Sequence, residues 1–274
     1  MKKLSFFILS CYRFIPHFRG KLRLGKFLFT GYCNKNKIFE FTAHDQIKYI
    51  LPNTIENVGL ELMINGVYGS DIVQFLKKNV KENDVFFDVG ANIGSIGLPL
   101  VKFNPLLRYH AFEASPHVFE YLRKTINLNG FKTCTLVNNV VYHTDNLQLP
   151  FFQSHYHGKN SLVPTYGNSS VLVSTISLDR YCEDNNIDRI DWMKIDVQGF
   201  ELYAFQGAEK ILQSGSVKNI IFEYEPWAEE EAKIPIGEAK DFLLKLGYQL
   251  FYLNGQSWGT SKKYDKTIWA KFKS

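Results

Sequence analysis

Residues 85–94 read Val-Phe-Phe-Asp-Val-Gly-Ala-Asn-Ile-Gly, and this stretch decides the fold. Val85 to Val89 is a short run, apolar except at Asp88, of the kind a strand buried on both faces requires. It stops at a turn bounded by Gly90 and Gly94. Ile96 to Phe103 follows as an apolar segment that reads as a helix, with Pro99 tolerated in its first turn.

The same alternation continues downstream. Tyr109 to Glu113 reads as a second strand. Ser115 and Pro116 suit the cap and first turn of a helix carrying Val118, Phe119, Leu122 and Ile126 at helical spacing, and Asn129-Gly130 closes it. Thr135 to Val141 reads as a third strand. Residues 147–176 interrupt the pattern with two strands, Leu147–Phe152 and Val171–Ile176, around a polar loop. Then Ile190 to Ile195 forms a fourth strand ending in Asp196, and a helix follows with Leu202, Phe205, Ala208 and Leu212 on one face. Val217–Tyr224 is a strand and Ile236–Leu246 a helix, and Tyr248–Leu253 pairs with Thr267–Phe272 as a closing hairpin. Strand–helix alternation at this spacing predicts an α/β fold, a doubly wound, Rossmann-like parallel sheet with helices on both faces. Ligands of such sheets sit beyond the carboxyl ends of the strands, where the strand order reverses, so the loops after the first, second and fourth strands should converge.

Upstream the reading divides the chain into a small N-terminal extension, residues 1–80, and the main domain, residues 81–274, with its polar insert at about 147–176. In the extension, Phe39 and Phe41, then Ile47, Tyr49 and Leu51, alternate like short strands, and a helix starts near Asp71 with Ser70 or Asp71 as its cap. Charge is uneven. Nine basic residues fall within residues 1–40 against a single acid, Glu40, so that segment carries +8 and the remainder −3 of the net +5. The opening MKKLSFFILSCYRF has an apolar stretch too short for a span, ended by Arg13 and followed by no small-x-small site. It reads as a helix or interfacial anchor rather than a secretory leader. Phe6, Phe7, Ile8 and Phe14 with the basic residues make residues 1–25 a candidate peripheral membrane contact. Because the basic residues do not continue into the body, a nucleic-acid partner is not expected.

Composition agrees with a folded enzyme-sized domain: 274 residues with 45% hydrophobic against 22% charged excludes wholesale disorder. Cys11, Cys33, Cys134 and Cys182 form neither a C-x-x-C pair nor a metal-ligand spacing, so a reducing, cytoplasmic setting is expected and no metal is proposed.

The glycine turn carries the chemistry. Gly90 and Gly94 permit close backbone approach, and a helix N-terminus should follow. Glu113 comes nineteen residues after Gly94, a spacing that suits hydrogen bonding to ribose hydroxyls. A dinucleotide fingerprint, G-x-G-x-x-G, would need glycine where Asn92 and Ser95 stand. The carboxylates of Asp88 and Glu113 suit a cationic ligand. S-adenosylmethionine therefore fits better than a nicotinamide dinucleotide, although an oxidoreductase remains the alternative at this point.

The segments VFFDVGANIG, FEASP, IDWMKIDVQGFELYAFQGAEKIL and IIFEYEP, in that order, resemble the FkbM family of S-adenosylmethionine-dependent methyltransferases over roughly Tyr68 to Glu225. The resemblance implies a class I methyltransferase fold and O-methylation of a hydroxyl on a glycan, a glycolipid precursor or a natural product. It places Asp88, Gly90, Asn92 and Gly94 on the donor-binding loop, Glu113 on the ribose, and Lys194, Asp196, Gly199 and Glu201 on the motif after the fourth strand. Ala91, Ala114 and Asn139 join the candidate donor-binding set. Two positions depart from the family pattern: Ala114 stands for proline after Glu113, and Gln198 for an acid beside the reaction centre. The second keeps a non-catalytic donor-binding or partner subunit as the alternative to an enzyme.

Asp196 is the first candidate for a general base, with helix capping as its other role. Lys194 alternates with it and reads either as an ion-pair partner or as an acceptor contact, and Glu201 lies in the first turn of the next helix. For the acceptor, the candidates are His155 and Asn160 on the polar insert, which reads as a lid, and Glu225 and Trp227 after the fifth strand, with Glu223 beside them. Trp192, inside a strand, reads as core. Oligomeric state is left open.

Overall fold

The computed structural model describes residues 2–16, 18–33, 38–154, 157–164, 169–259 and 266–273, with side chains from Phe7 onward except at His157. The side chain of Phe6 and the whole of His155 therefore lie outside the described residues.

The first eighty residues form α1 (Lys2–Arg13), α2 (Lys21–Leu28), a hairpin of β1 (Phe39–Thr42) and β2 (Lys48–Leu51), α3 (Asn57–Asn65) and α4 (Ser70–Asn79). There follow β3 (Val85–Val89), α5 (Gly97–Phe103), β4 (Arg108–Phe112), α6 (Pro116–Asn129) and β5 (Cys134–Val137). Next comes β6 (Val140–Val141), and the insert holds β7 (Gln148–Gln153) and β8 (Ser169–Ile176). The chain then runs through α7 (Leu178–Asp184), β9 (Ile190–Ile195), α8 (Glu201–Gln206), α9 (Glu209–Gln213), β10 (Val217–Glu223), α10 (Pro226–Glu231), α11 (Glu238–Lys245), β11 (Tyr248–Phe251) and β12 (Thr267–Phe272).

Seven strands make the central sheet in the order β11-β12-β10-β9-β3-β4-β5. β3, β4, β5, β9 and β10 are parallel, and β12 enters antiparallel between β10 and β11. The predicted closing hairpin is thus real as a pair, but its second strand is the one that joins the sheet. The chain leaves β3 toward β4 and β5, then returns past β3 to start β9, which pairs with it through Asp88 opposite Lys194 and Val89 opposite Ile195. The strand order reverses between β3 and β9, and the crevice opens there.

Alternation along the strands builds two cores. Phe86, Tyr109, Trp192 and Ile221 face one side, where α5, α6 and the N-terminal elements cover them. Phe87, Phe112, Met193 and Phe222 face the other, under α7, α8, α9 and α11. Residues 1–80 share the first core: Leu9, Phe41 and Leu62 belong to the same continuous cluster as Phe86. The β2 backbone is clipped to α6, where the Asn129 side chain accepts from Lys48 N at 2.9 Å and donates to Lys48 O at 2.8 Å.

Several elements differ from the sequence-based expectation. α4 is capped by Gly69 in the left-handed region, not by Ser70 or Asp71. The expected strand Thr135–Val141 breaks at Asn138 and Asn139 because the Asn138 amide donates to the carbonyls of Glu113 and Ala114 while Asn139 donates to Ser174 O, which diverts the chain into the insert. The long helix carrying Leu202 to Leu212 is two helices. Gly207 lies against the Tyr142 carbonyl, and Asp179 accepts from Lys210 N and Ile211 N to start α9 afresh. Two cations of the basic N-terminal segment are internal: Arg13 Nε donates to Met63 O at 2.7 Å and Lys21 Nζ to Ile15 O at 2.6 Å.

Candidate active site

A cleft of about 1530 Å³, counted out to its open mouth, lies over the carboxyl ends of β3, β4, β9 and β10. The turn after β3 forms one wall, and its hydrogen bonds decide what it can bind. Gly90 N and Ala91 N both donate to Phe112 O at 2.9 Å, Asn92 N donates to Glu113 Oε2 at 2.8 Å, Ile93 N to Asn92 Oδ1 at 2.9 Å and Gly94 N to Ala91 O at 2.8 Å. Every N–H from residue 90 to residue 94 is consumed within the protein. None of these five N–H groups is left for a ligand, and the helix expected to follow the turn, α5, starts three residues further on, at Gly97. A pyrophosphate would find no free N–H at residues 90–94, whereas a phosphate-free nucleoside needs none there.

The glycines also act differently from the expectation. A β-carbon on Gly94, at φ +79°, would meet Leu98 and Leu122 at 2.6–2.8 Å, so Gly94 serves packing and does not line the cleft. Asn92, at φ 52°, takes a left-handed conformation that its own side chain supports by capping Ile93 N.

Glu113 is the carboxylate the turn presents. Its Oε2 accepts from Asn92 N and its Oε1 from Ser115 N at 2.8 Å, and each oxygen keeps capacity for another donor. Burial pushes its carboxyl up to about 7 against those two N–H groups, which lower it. Ala91, Asn92, Ala114 and Asn139 line the same wall. Asp88 does not. It is wholly buried beneath the floor, with Tyr109 donating to Oδ2 at 2.9 Å and Lys194 Nζ 3.2 Å from Oδ1. Lys194 also donates to Gly90 O at 2.7 Å. Burial works against its ammonium, but the Asp88 and Asp196 carboxylates outweigh it and hold its pKa above the ordinary value. The ion-pair reading of Lys194 is the one its contacts support, and both residues hold the turn in place from below.

Across the cleft, Asp196 follows β9. Gln198, in a left-handed conformation at φ 55°, donates from Nε2 to Asp196 Oδ1 at 2.7 Å and accepts from Lys159 Nζ on Oε1 at 3.3 Å. An acid in its place would repel Asp196, so the amide makes this geometry available. Glu201 is turned away: it does not line the cleft, and its Oε1 accepts from Val197 N at 3.0 Å. Burial pushes it up to about 8. It shapes the loop after β9 and lies outside the cleft lining.

Glu223 and Glu225 line the far side and share Lys266, whose Nζ meets Glu223 Oε2 and lies 2.9 Å from Glu225 Oε1. Burial first, then the Asp196 charge, hold the Glu223 carboxyl up at about 7 against Lys266. Asn160 lines the cleft and accepts from Ser154 N at 2.8 Å. Trp227 is outside the lining, half-exposed, with Lys159 Nζ 4.5 Å from its ring centroid. Trp192 is core, packed on Phe75 and Trp269.

Sequence reasoning missed Tyr68, Glu56 and Lys266. The first two come from the N-terminal extension and the third from β12's approach, and none sits in a motif. Burial raises the Tyr68 phenol well above its usual range, and the charges of Asp196 and Glu223 add to it. Among the described residues, five carboxylates and three ammoniums line the cleft, which favours a cation over an anion. No group of three His, Cys, Asp or Glu among them is placed to hold a metal ion.

A seven-stranded sheet of this order, with an acid after its second strand and a crevice at the switch point, is the class I methyltransferase architecture. The methyltransferase FkbM domain matches residues 88–250, more than half of the chain, and the chain belongs to that family. The hexuronic acid methyltransferase AglP of Haloferax volcanii is 26% identical over 145 residues, which are 53% of this chain and 58% of that protein. The chain thus spans little more than half the length of that curated relative. Among solved structures, TYW2 of Pyrococcus horikoshii in complex with MeSAdo is 15% identical with a TM-score of 0.45, covering 87% of this chain and 73% of its own. A TehB-like SAM-dependent methyltransferase from Corynebacterium glutamicum is 10% identical with a TM-score of 0.43, covering 74% and 88%.

Proposed function

We propose that the chain transfers a methyl group from S-adenosylmethionine to a hydroxyl oxygen of a sugar, in a glycan, a glycolipid precursor or a glycosylated natural product. The observation that carries this reading is the closed turn at residues 90–94, which offers Glu113 to a ribose and no N–H to a phosphate. The donor residues present fit such a group: Glu113 for the ribose hydroxyls, Asn92 and Ala114 beside it, and an acidic cleft for the positive charge. Family membership and the hexuronic acid relative support a sugar acceptor.

When bound, S-adenosylmethionine supplies a methyl carbon made electrophilic by its sulfonium. The protein's part is to hold an acceptor oxygen in line with it, which contributes on the order of 7–11 kcal/mol to lowering the barrier. Transfer would leave the donor as the neutral thioether, its sulfur retaining the electrons of the broken S–C bond, and the chain's own part would be to take the acceptor's hydroxyl proton on a carboxylate. Asp196, oriented by Gln198, is the proposed base, and Glu223 stands beside it. Asn160 and Trp227 with Lys159 are the proposed acceptor contacts. The proposed methyltransferase domain spans residues 81–274, with residues 1–80 as a cover that lends Tyr68 to the cleft. Its four cysteines are unpaired, which supports a reducing, cytoplasmic setting. Among the described residues no helix is long and apolar enough to cross a membrane.

The test is twofold. Calorimetry should show binding of S-adenosylmethionine and its demethylated product but not of NADH. Labelled donor should then methylate an oxygen of a hexuronate or neutral hexoside acceptor. Binding of NADH alone would overturn the reading, and donor binding without transfer to any sugar would return the chain to a non-catalytic subunit.

A further inference from the structure

Helices α1 and α2 are apolar on the wrong side. Each buries one stripe against α3 and the hairpin: Leu9 and Tyr12 from α1, Leu22 and Gly25 from α2. The opposite stripe of a surface helix is normally polar. Here it holds Phe7 and Cys11 at i and i+4 on α1, and Leu24, Phe27 and Leu28 on α2, with Phe14, Ile15 and Phe18 on the connection. Phe7 is 66% exposed, Phe14 74% and Phe27 78%.

The cations show the same inversion. Arg13 and Lys21 are buried, bound to backbone carbonyls, while Arg19, Arg23 and Lys26 are exposed among the apolar side chains. No Asp or Glu occurs before Glu40. Exposed apolar side chains interspersed with like charges need a partner that is apolar beneath and negative on top. A second copy would bring Arg19, Arg23 and Lys26 against a face of the same sign. A nucleic acid would not cover the phenylalanines. We infer that α1, α2 and their connection form a docking surface for an anionic lipid bilayer, with Phe7, Phe14 and Phe27 inserted and Arg19, Arg23 and Lys26 on the headgroups.

The surface is tied to the cleft. α1 and α2 both pack on α3, whose first residues, Asn57 and Val58, line the cleft. The lipid-facing helices and one wall of the site therefore share a support, which suits an acceptor held at a membrane.

The experiment is flotation of the full chain with phosphatidylcholine vesicles, alone and with roughly 30% phosphatidylglycerol, at low and moderate salt. Two variants are compared with the wild type: Phe7→Ser/Phe14→Ser/Phe27→Ser and Arg19→Glu/Arg23→Glu/Lys26→Glu. All six side chains are exposed, and retained heat on titration with the methyl donor, or an unchanged thermal midpoint, verifies that each variant is folded. The expected result is binding to the anionic vesicles that falls at least about tenfold in either variant and weakens with salt. Equal binding by wild type and the phenylalanine variant overturns the proposal, as does insensitivity to charge reversal or no flotation at all. A lipid-free wild-type dimer dissociated by the phenylalanine substitutions would assign the face to a second copy and equally overturn it. None of these outcomes depends on the chain's acceptor chemistry.

Discussion

A β-carbon built on Gly90 would stand 2.0 Å from the backbone carbonyl oxygen of Asp196. The turn after β3 and the turn after β9 are thus in backbone contact at the point where the strand order reverses, and Asp196 N donates to Val89 O at 3.0 Å to close the junction. This contact, and not the approach of a ligand alone, requires glycine at residue 90. It also sets the distance between the Glu113 wall of the cleft and the proposed base.

Gly90→Ala should therefore lose the site. The left-handed conformation at φ +74° alone costs about 1–3 kcal/mol for a residue with a side chain, and the clash forces Asp196 outward. The expected outcome is a lower urea midpoint together with no measurable donor heat. A variant that binds donor like the wild type would show that the junction is not the determinant.

The Asp88–Lys194 pair should behave as a buried structural pair. Asp88→Asn or Lys194→Met alone leaves an uncompensated buried charge and should destabilise by roughly 3–5 kcal/mol. Replacing both, by Asp88→Asn with Lys194→Met, should recover most of that loss, because the partner's charge goes too. Chemical denaturation of the four proteins measures the coupling, and strictly additive losses would contradict it.

Glu201 makes stability depend on pH with a defined sign. Its native pKa of about 8 stands above the ordinary 4.5. Below the lower value both native and unfolded chains are protonated, and nothing is lost. Between the two the unfolded chain ionises while the native one holds its proton, so stability falls as pH rises, and above the upper value the loss is constant. Glu201→Gln should flatten this slope and be more stable than the wild type at alkaline pH. Thermal midpoints measured across the range test it.

Donor affinity should rise with pH through the Glu113 transition. Burial pushes the carboxyl up to about 7, and the ionised form is the better acceptor for ribose hydroxyls. About fivefold tighter binding on the alkaline side is expected, and Glu113→Gln should remove the pH dependence along with much of the affinity. Calorimetry on either side of the transition decides it.

Turnover should separate from donor binding at Asp196. Asp196→Asn should keep the donor heat and lose about 10²–10⁴-fold in methyl transfer. Gln198→Glu should also slow transfer, because the new carboxylate cannot donate to Asp196 and competes for Lys159. If Asp196→Asn leaves turnover intact at every pH while Glu223→Gln abolishes it, the base is Glu223.

Much of the sheet was legible because its strands are buried on both faces. Val85–Val89 and Ile190–Ile195 read as apolar runs for that reason, and the Ser115–Pro116 cap and the Gly130 stop are local chemistry written in adjacent residues. Glu113 was legible through spacing. What failed were features that depend on a distant backbone: the break at Gly207 against Tyr142, the diversion at Asn138, and the cap at Gly69. Glu201 and Asp88 carry the right residue types for a site but point into the protein, and strand alternation alone does not say which carboxylate a neighbouring N–H will claim.

The sequence by itself determined the class of fold, the position of the switch point and the place of Glu113 at the end of the second parallel strand, because these follow from periodicity and from residues close in the chain. Only the tertiary structure decided that the turn's N–H groups face inward, that Lys194 belongs to Asp88, that Tyr68 and Lys266 complete the cleft and that α1 and α2 turn their phenylalanines outward. Each of these is a contact between segments far apart in sequence, and hydrogen-bond satisfaction and packing across such distances leave no local signature.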